Sequence, residues 1–564
     1  MRDAYSVSQV RAAENRLFEL VPDGALMQRA AAGLAAVCAD LLRAGAGGVY
    51  GARVVVLAGT GDNGGDALYA GAHLARRGAA VTAVQAGARL HAGGARALQD
   101  AGGRLIKLEA GLGDQQDFSA HADEDANEDT DRHDVGYEAR SAMGRADLIV
   151  DGMLGIGGSG GLREPYATLA ELAARAWNAT TVAVDLPSGI DADTGAVAGP
   201  AVRADVTVTF GAVKPGLLID PGAGHAGVVE FVDIGLGPYL DGLPAVSAPQ
   251  AQDIAALLPR PTAESDKYRR GVVGLLVGSD RYTGAALLAT GGAVRGGAGM
   301  VRLVTFPNAA AGVRHVHPEV VITELGSETT TRSAAPQFTP ATARFAGEHH
   351  APPEDLHPAQ ASPPRGAGFL DHVGRVQAWT VGSGMGTDDA AVGRLAEVLA
   401  TNLPVLIDAD GLTILAKHKD LLPRPAPTLL TPHAGELGRL LDADPADIEA
   451  RRLEHARQAA AKLGACVLLK GSTTVVAPPD GRDPVLVNTT GTPWLATAGT
   501  GDVLAGLAGA LLAQGLLPPQ AALTAAYLHG LAARLAAREA VTDGEAPIGA
   551  SDVVTALPLA FHAL

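Results

Sequence analysis

The feature that most constrains the fold is an alternation of short apolar runs with helical patterns, which starts afresh in the second half of the chain. Apolar runs that end in Gly or Asp are typical of buried parallel strands, and the helical segments between them serve as crossovers. The pattern predicts an α/β protein with parallel sheets covered by helices on both faces. The predicted strands are Arg53–Gly59, Ala80–Gln85, Ala146–Asp151, Thr181–Asp185 and Asp205–Phe210, then Val272–Gly278, Met300–Thr305, Ala378–Gly382, Pro404–Asp408, Thr428–Thr431 and Cys466–Lys470.

A Gly- and Pro-rich segment, Leu236–Pro249, interrupts this alternation and is predicted to be a domain linker. A chain of 564 residues is also too long for a single ordinary core. We therefore predict an N-terminal domain over residues 1–240 and a larger second domain over residues 250–564. Helices are predicted over residues 8–43, over Asp66–Arg77 and from Asp502 onwards.

Two segments read as insertions into this pattern. Asp114–Glu138 carries ten acidic residues and the single basic residue Arg132, so it is predicted to be a disordered surface loop. Gly326–Gly366 is rich in Thr, Pro, Ala and His and shows no periodicity. A polar loop is the favoured interpretation of the second insertion, and a His-rich metal-binding tract is the alternative.

Charge and cysteine usage narrow the class of protein. The net charge is −17, so no basic surface is expected that would bind the phosphates of a nucleic acid. The two cysteines, Cys38 and Cys466, lie far apart and form no metal-ligand motif, which favours buried reduced thiols. The N-terminus lacks the apolar core of a signal peptide, and no convincing membrane span is present. We expect a cytoplasmic protein that does not bind membranes.

Three Gly-rich motifs follow predicted strands in the first half and mark a candidate site. They read AGTGDNGGDA at Ala58–Ala67, DGMLGIGGSGG at Asp151–Gly161 and DLPSGIDADTG at Asp185–Gly195. Glycines allow a ligand to approach the backbone, and ligands bind at the carboxyl ends of parallel strands. Oxygen atoms of Asn63, Asp151 and Ser188 suit a hard cation, while Asp185 is suited to proton transfer.

Together these motifs closely resemble the epimerase domain that interconverts the R and S forms of NAD(P)H hydrate, and Lys214-Pro215-Gly216 also matches. The resemblance covers about residues 5–240 and implies a Rossmann-like three-layer domain. Gln28 and Ala67 depart from the family pattern, which has Glu and Gly at these positions. By resemblance, Asn63, Asp151 and Ser188 hold K⁺, Asp185 is catalytic, and the hydrate is bound by Asp185 together with Asp62, Asn63, Gly64, Gly65, Asp66, Gly155, Ile156, Gly157, Gly158, Ser159, Gly160 and Gly161.

A second candidate site centres on TAGTGDVLAG at Thr497–Gly506, just before the long predicted helix. The backbone N–H groups of Gly499, Thr500 and Gly501 would form an anion hole at the helix start, as in ribokinase-type kinases. Asp502 is placed to take a proton from an attacking hydroxyl. Related motifs near other strand ends are RGGAGMV at Arg295–Val301, GSGMG at Gly382–Gly386, DADGL at Asp408–Leu412, LTPHAGE at Leu430–Glu436 and LLKGSTT at Leu468–Thr474.

This ordered set resembles the ADP/ATP-dependent NAD(P)H-hydrate dehydratases over about residues 250–564 and implies a ribokinase-like α/β domain. The His-containing motif at His433–Glu436 argues against a sugar substrate. By resemblance, Asp502 is catalytic, and Glu436 positions Mg²⁺ through water. The residues implied to bind the hydrate are Ala285, Gly384, His433 and Asp502, and those implied to bind the nucleotide are Lys470, Gly471, Ser472, Thr473, Thr474 and Gly501.

The two resemblances imply a bifunctional repair enzyme that acts on hydrated NADH and NADPH. The first domain would interconvert the R and S epimers, and the second would dehydrate the S form with ADP as phosphoryl donor, releasing AMP and phosphate. A homo-oligomer is expected. One alternative is a small-molecule kinase of the vitamin-precursor type, with a non-catalytic N-terminal ligand-binding domain. A second alternative, from a different class, is that the N-terminal fold is a catalytically inactive binding scaffold. Loss of its acidic residues would indicate such a scaffold, and Asp62, Asp66, Asp151 and Asp185 are all present.

Overall fold

The structure, a computed structural model, describes residues 1–108, 135–158, 160–326, 368–539 and 545–564. The first half contains β1 Arg2–Ala4, α1 Val7–Phe18, α2 Ala25–Gly45, β2 Arg53–Ala58, α3 Asp62–Arg76, β3 Ala80–Gln85, α4 Ala92–Asp100, β4 Arg104–Lys107, α5 Val135–Gly144, β5 Leu148–Gly152, α6 Tyr166–Arg175, β6 Thr180–Val184, β7 Val206–Phe210, α7 Ala223–Ala226 and β8 Val228–Val232. Short 3₁₀ turns lie at Pro215–Leu217 and Gly237–Tyr239.

The second half continues with β9 Val246–Ala248, α8 Ala251–Leu257, β10 Val272–Leu276, α9 Thr283–Arg295, β11 Met300–Thr305, α10 Pro307–Val316, β12 Val321–Glu324, α11 Leu370–Val373, β13 Ala378–Val381, α12 Asp389–Leu399, β14 Val405–Ile407, α13 Asp410–Lys417, β15 Thr428–Leu430, α14 Ala434–Leu441, α15 Pro445–Ala450, α16 Arg452–Leu463, β16 Cys466–Leu469, β17 Thr474–Ala477, β18 Val485–Asn488, α17 Thr500–Ala513, α18 Pro518–Glu539 and α19 Ala550–His562. Its 3₁₀ turns are Lys419–Leu421 and Pro493–Leu495.

The first half forms a seven-stranded, entirely parallel sheet in the order β4-β3-β2-β5-β6-β7-β8. Its central strands are largely buried and mostly apolar because helices cover both faces. From β2 the chain adds β3 and β4 on one side of the sheet, and from β5 it adds β6, β7 and β8 on the other side. The loops after β2 and β5 therefore diverge. Such a switch point leaves a crevice at the carboxyl edge of the sheet.

The second half forms an eleven-stranded sheet in the order β1-β9-β18-β17-β16-β15-β14-β13-β10-β11-β12. The seven strands from β16 to β12 are parallel, and β17 is antiparallel to both of its neighbours. The switch point of this sheet lies between β10 and β13. The α/β class predicted for both halves of the chain is confirmed.

Several predicted boundaries require correction. The helix expected over residues 8–43 is two helices, α1 and α2, because Pro22 and the left-handed Gly24 (φ 77°) interrupt it. Helix α3 begins at Asp62 rather than Asp66, so most of the Gly-rich motif forms its first turn. The acidic insertion predicted to end at Glu138 gives way to helix α5 at Val135. The remainder of that insertion and residues 327–366 of the second lie outside the described residues.

The predicted linker does more than connect two domains. It contains strand β9, which pairs with β1 at the extreme N-terminus and with β18 of the second sheet. Residues 2–4 therefore belong to the second sheet, although they were predicted to lie in the N-terminal domain. Apolar side chains of Leu217, Leu218 and Ile219 also share one hydrophobic cluster with β17 and β18. The two halves are thus packed together through a common core.

Helix α2 is the one described helix long and apolar enough to cross a membrane by length and composition. Leu34, Cys38 and Leu42 on this helix are buried in the same hydrophobic cluster as strands β2 and β6. The helix therefore has a place in the core of the first half. Cys38 and Cys466 are both free and buried, as predicted.

Candidate active sites

The switch point of the first sheet brings together the motifs that follow β2, β5 and β6. The Gly59 N–H donates to the Gly152 carbonyl at 3.1 Å, which joins the first two motifs. Gly59 also lies so close to the Met153 backbone that any side chain would overlap it. Ala67, which departs from the family pattern, faces Gly152, and that glycine leaves space for the extra methyl group.

Asn63, Asp151 and Ser188 form a compact set of oxygen donors. The Asp151 carboxylate accepts hydrogen bonds from the Ser188 hydroxyl at 2.7 Å and the Ser188 N–H at 2.8 Å. Asn63 Nδ2 donates to the Leu154 carbonyl at 2.9 Å, so its other amide atom, Oδ1, is available as a ligand. Burial raises the pKa of Asp151 to about 6, a cost that a neighbouring cation would relieve. One carboxylate among neutral oxygens fits a large monovalent cation such as K⁺.

Asp185 lies at the end of β6 in the left-handed region of φ (67°), which turns its side chain into the site. Its carboxylate forms an ion pair with the buried Lys214 ammonium. Lys214 Nζ also donates to Thr209 Oγ1 and to the Phe210 carbonyl, both at 3.1 Å. The Phe210 N–H donates to Asp185 Oδ1 at 3.3 Å. Asp185 is thus held rigidly, with a cationic partner that sequence analysis did not assign to the site.

Further carboxylates surround this ion pair. Burial raises the pKa of Asp66 well above its usual value, and the charges of Asp185, Asp62 and Glu14 add to the rise. Asp66 Oδ1 is buried and has no hydrogen-bond partner within the described part of the chain. Burial also raises the pKa of Glu14, a residue of α1 that the sequence analysis missed. The site therefore holds an ion pair together with two carboxyl groups whose pKa values are raised.

The remaining predicted residues of the first site are distributed around this centre. Asp62 is exposed in the first turn of α3, while Gly64 and Gly65 are buried behind it. Leu154, Gly155, Gly158 and Gly160 line a small cleft opposite Pro187–Ile190, so the second motif faces the third. Ile156 and Gly157 continue the same loop, Gly161 packs against Gly199, and Ser159 lies outside the described residues.

The second candidate site lies at the switch point of the second sheet. The loop after β13 meets the start of α9, where a Cβ on Gly384 would lie 2.8 Å from Tyr282 Cβ and 3.1 Å from Ala285 Cβ. Gly384 is also in the left-handed region (φ 64°). Ala285 and Gly384, predicted to bind the hydrate, are therefore neighbours, and a larger residue at Gly384 would close the gap between them.

Asp502 occupies the first turn of α17, whose N-cap is the left-handed Gly499 (φ 90°). Burial raises the pKa of Asp502 to about 6, and repulsion by the Asp408 carboxylate adds to the rise. The helix start supplies free N–H groups for an anion, as the motif predicted. An acid that titrates near neutrality beside an anion-binding helix end is suited to general base catalysis.

Lys470 connects this helix start with two other carboxylates. Its Nζ lies 2.7 Å from Asp408 Oδ1 and 3.6 Å from Glu436 Oε2. Burial alone would lower the pKa of Lys470, but the charges of Asp408 and Glu436 outweigh it and raise the pKa. A Cβ on Gly501 would lie 3.6 Å from Lys470 Nζ, so the lysine reaches the anion-binding loop. A permanent cation at this point suits a phosphate group.

His433 and Glu436 form a capping box at the start of α14. Glu436 Oε2 accepts the His433 N–H at 2.9 Å, and His433 Nδ1 accepts the Gly435 N–H at 3.0 Å. His433 Nε2 lies 3.6 Å from Glu436 Oε2, and the imidazole ring is largely exposed. The motif thus has a local structural role, and it also leaves His433 facing outward beside the acidic group of the site.

A cavity of about 230 Å³ lies between the second half's β17–β18 region and helices α17 and α18. Lys470, Gly471, Ser472, Thr474 and Gly501 all line it, as expected for a nucleotide site. Thr473 is the exception, because its side chain points to Asp220 of the first half. Thr500 and Leu504 of the motif at Thr497–Gly506 also line it. The cavity further includes residues that no sequence motif indicated, namely Asn488, Gly491, Thr492, Pro493, Leu495, Ala496, Ala526, His529 and Gly530.

The fold and these two sites define a two-domain α/β enzyme with a small-molecule site at the switch point of each sheet. Comparison with known families agrees with this division. Residues 23–216 match the YjeF-related protein N-terminus, and residues 273–555 match the NAD(P)H-hydrate dehydratase family.

Relatives match over nearly the whole chain. The bifunctional NAD(P)H-hydrate repair enzyme Nnr of Mycobacterium tuberculosis is 44% identical over 530 residues, which cover 93% of this chain and 91% of that protein. The corresponding Mycobacterium leprae protein is 41% identical over 567 residues, covering 100% of both chains. This protein belongs to the family of bifunctional NAD(P)H-hydrate repair enzymes, which combine an epimerase with an ADP/ATP-dependent dehydratase.

Solved structures are similar to part of the chain. A ribokinase-like superfamily protein from Enterococcus faecalis is 22% identical, with a TM-score of 0.44, and covers 57% of this chain and 98% of that chain. The ADP/ATP-dependent NAD(P)H-hydrate dehydratase of Bacillus subtilis, co-crystallised with ATP and Mg²⁺, is 28% identical, with a TM-score of 0.43. It covers 56% of this chain and 97% of that chain.

Proposed function

We propose that the switch point of the first sheet is the epimerase site and that the switch point of the second sheet is the dehydratase site, with ADP as phosphoryl donor. The main support is that the motifs of each family lie at the carboxyl edge of one sheet, with the exception of Arg295–Val301, which joins α9 to the start of β11. The division follows residues 1–240 and 250–564, apart from the pairing of β1 with β9. The two free cysteines support a reducing, cytoplasmic compartment.

In the epimerase site, the Gly-rich loops of Asp62–Asp66 and Gly155–Gly161 would bind the hydrate, and Asp185 would transfer the proton. Lys214 fixes the direction of the Asp185 carboxylate, because both groups are buried and hydrogen-bonded to each other. Asp66 provides a second carboxyl group whose raised pKa suits it to hold a proton. Asn63, Asp151 and Ser188 would hold K⁺, which contributes a fixed positive charge beside the substrate.

In the dehydratase site, Ala285, Gly384 and His433 would surround the hydroxylated nicotinamide ring. Asp502 would take the proton of the C6 hydroxyl while the hydroxyl oxygen forms a bond to the terminal phosphorus of ADP. The bond between that phosphorus and the bridging oxygen breaks, and AMP leaves. The lone pair of the ring nitrogen then expels phosphate, and loss of a neighbouring proton forms the double bond. Phosphorylation is needed because hydroxide is a poor leaving group and phosphate is a good one.

The anion hole and Lys470 would stabilise the phosphoryl group during transfer. Gly499, Thr500 and Gly501 offer N–H groups at the start of α17, and the Lys470 ammonium adjoins the same point. Glu436 would position Mg²⁺ through water, and its buried carboxylate beside Lys470 fits that role. Mg²⁺, when bound, supplies further neutralisation of phosphate charge.

The experiment that tests this function supplies the purified protein with a mixture of R and S hydrates and either ADP or ATP. The absorbance of the reduced nicotinamide and the release of free phosphate are followed together. We expect ADP to support complete recovery of both epimers, with one phosphate released per cofactor restored. Accumulation of a stable phosphorylated product would instead indicate a small-molecule kinase.

A further inference from the structure

The nucleotide loop of the second half, Lys470–Thr474, makes a direct contact with the first half. Thr473 donates its N–H to Asp220 Oδ2 at 2.8 Å and its hydroxyl to the same oxygen at 3.1 Å. In return, the Asp220 N–H donates to Thr473 Oγ1 at 2.9 Å. Three hydrogen bonds thus join two residues that are distant in sequence, and Thr473 is buried by the contact.

The opposite side of the same loop is held from within the second half. Arg452, a buried residue of α16, donates from Nη2 to the Lys470 carbonyl at 2.8 Å. Its guanidinium fills the space beside Gly471, where a side chain would overlap it. The loop is therefore fixed between Arg452 and Asp220. Four of its five residues, Lys470, Gly471, Ser472 and Thr474, line the cavity.

Asp220 is itself held in a fixed position in the first half. The loop that ends at Asp220 begins at Lys214, the partner of Asp185 in the epimerase site. Gly216 donates its N–H to the Ala192 carbonyl at 2.8 Å and packs against the Asp191 carbonyl. Leu217 and Ile219 are buried in the core shared by both halves. One rigid loop therefore begins in the first active site and ends on the nucleotide loop of the second.

We propose that Asp220 is a positioning residue of the dehydratase reaction, through which the N-terminal domain completes the nucleotide site of the second domain. The proposal rests on the assignment of Lys470–Thr474 as the nucleotide loop. Asp220 does not line the cavity, so it acts on ADP only through Thr473. A loop that is ordered before binding loses less conformational entropy when the nucleotide binds.

The test measures ADP binding by calorimetry, and dehydration kinetics, with the full-length protein. Asp220→Ala removes both acceptor bonds, so we expect the Kd and KM for ADP to rise on the order of tenfold. The kcat at saturating ADP should remain within about twofold, because the phosphate-binding helix start is untouched. Asp220→Asn keeps an oxygen that can accept both bonds and should retain most of the affinity.

Arg457→Ala is the matched control. Arg457 Nη2 donates to the Ala245 carbonyl at 2.7 Å, which joins the second half to the linker without involving the nucleotide loop. The Arg457→Ala variant should therefore bind ADP with unchanged affinity. Thr473→Val removes the hydroxyl partner, and its effect should not add to that of Asp220→Ala. Thr473→Val, which should also raise the Kd for ADP, provides the same test if Asp220→Ala proves insoluble.

Three results would overturn the proposal: unchanged ADP affinity in Asp220→Ala, an equal loss in Arg457→Ala, or full additivity of the changes at Asp220 and Thr473. A failure of the nucleotide-site assignment would look different. In that case Lys470→Ala, which alters the loop itself, would bind ADP as tightly as the unaltered protein.

Discussion

Asp502 combines the properties that the proposed dehydration requires of one residue. It lies in the first turn of α17, and burial raises its pKa to about 6, which keeps it mostly ionised at neutral pH yet basic enough to accept a proton. Asp502→Ala should abolish dehydration and leave epimerisation intact, since a general base typically contributes about 10² to 10⁴ in rate. Near-normal recovery of the S hydrate by a folded Asp502→Ala protein would refute the assignment.

The same raised pKa predicts a pH dependence. A general base works in its ionised form, so kcat/KM for dehydration should be constant well above pH 6 and fall as the pH drops through about 6. The profile is measured with the S hydrate at low concentration, in parallel with far-ultraviolet circular dichroism to exclude unfolding. A rate that stays constant to pH 5 would show that Asp502 does not need to lose its proton.

At the residue scale, sequence analysis located the groups that belong to strong motifs. Asp185, Asp502 and Lys470 each follow a strand or begin a helix within a Gly-rich string, so their positions could be inferred from local pattern. Glu14 could not be found in this way, because it is one carboxylate on an amphipathic helix and enters the site only when α1 packs. The role of Lys214 also depends on tertiary structure, since its partner Asp185 is distant in sequence.

At the scale of elements, the close crossing of α9 and α17 positions the helix that carries Asp502. A Cβ on Gly506 of α17 would overlap the Ala289 carbonyl, and one on Gly292 of α9 would overlap the Val503 carbonyl. The absence of these side chains lets the two backbones touch. Helix α9 carries Ala285 and α17 carries Asp502, so this crossing sets the spacing between two sides of the dehydratase site.

Gly506→Ala should therefore lower both stability and dehydration. The added methyl group must separate the helices, at a cost of about 1–3 kcal/mol in the free energy of unfolding. Gly393→Ala in α12 is the control, because a Cβ at that position meets no atom within 4 Å. Replacing glycine by alanine inside a helix should not lower stability there, since alanine has the higher helix propensity. Thermal unfolding and the dehydration rate are measured for both. Equal stability of the two variants would contradict the role given to the crossing.

The sequence predicted the central strands well and the peripheral elements poorly. Met300–Thr305 and Ala80–Gln85 match their predicted bounds, because each is a short, mostly apolar run that follows a helical segment. Strands β1 and β9 have three residues each and were missed, since so short a strand has no periodicity of its own. Both strands form because β1 pairs with β9, and β9 pairs with β18 of the second half. A local sequence pattern cannot predict such long-range pairing.

At the scale of the whole molecule, two similar sheets place one site each at a switch point, and the chain joins them more closely than a flexible linker would. The shared hydrophobic cluster and the contact between Asp220 and Thr473 both cross the junction. The proposed catalytic groups are nevertheless separate, because Asp185 follows β6 of the first sheet and Asp502 lies in the first turn of α17, which packs against the second sheet. Chemistry in the two sites should be separable by mutation, even though the domains are not mechanically independent.

Asp185→Asn tests this separation. The amide keeps the shape of the carboxylate but cannot accept a proton at neutral pH, so use of the R hydrate should be blocked while the S hydrate is repaired at a normal kcat with saturating ADP. Supplied with both epimers, the variant should stall early, once the S form is consumed and before uncatalysed interconversion contributes. Rapid recovery of both epimers would refute the role of Asp185. Loss of S repair at saturating ADP would instead show that the ion pair with Lys214, at the start of the loop that ends at Asp220, supports the second site directly.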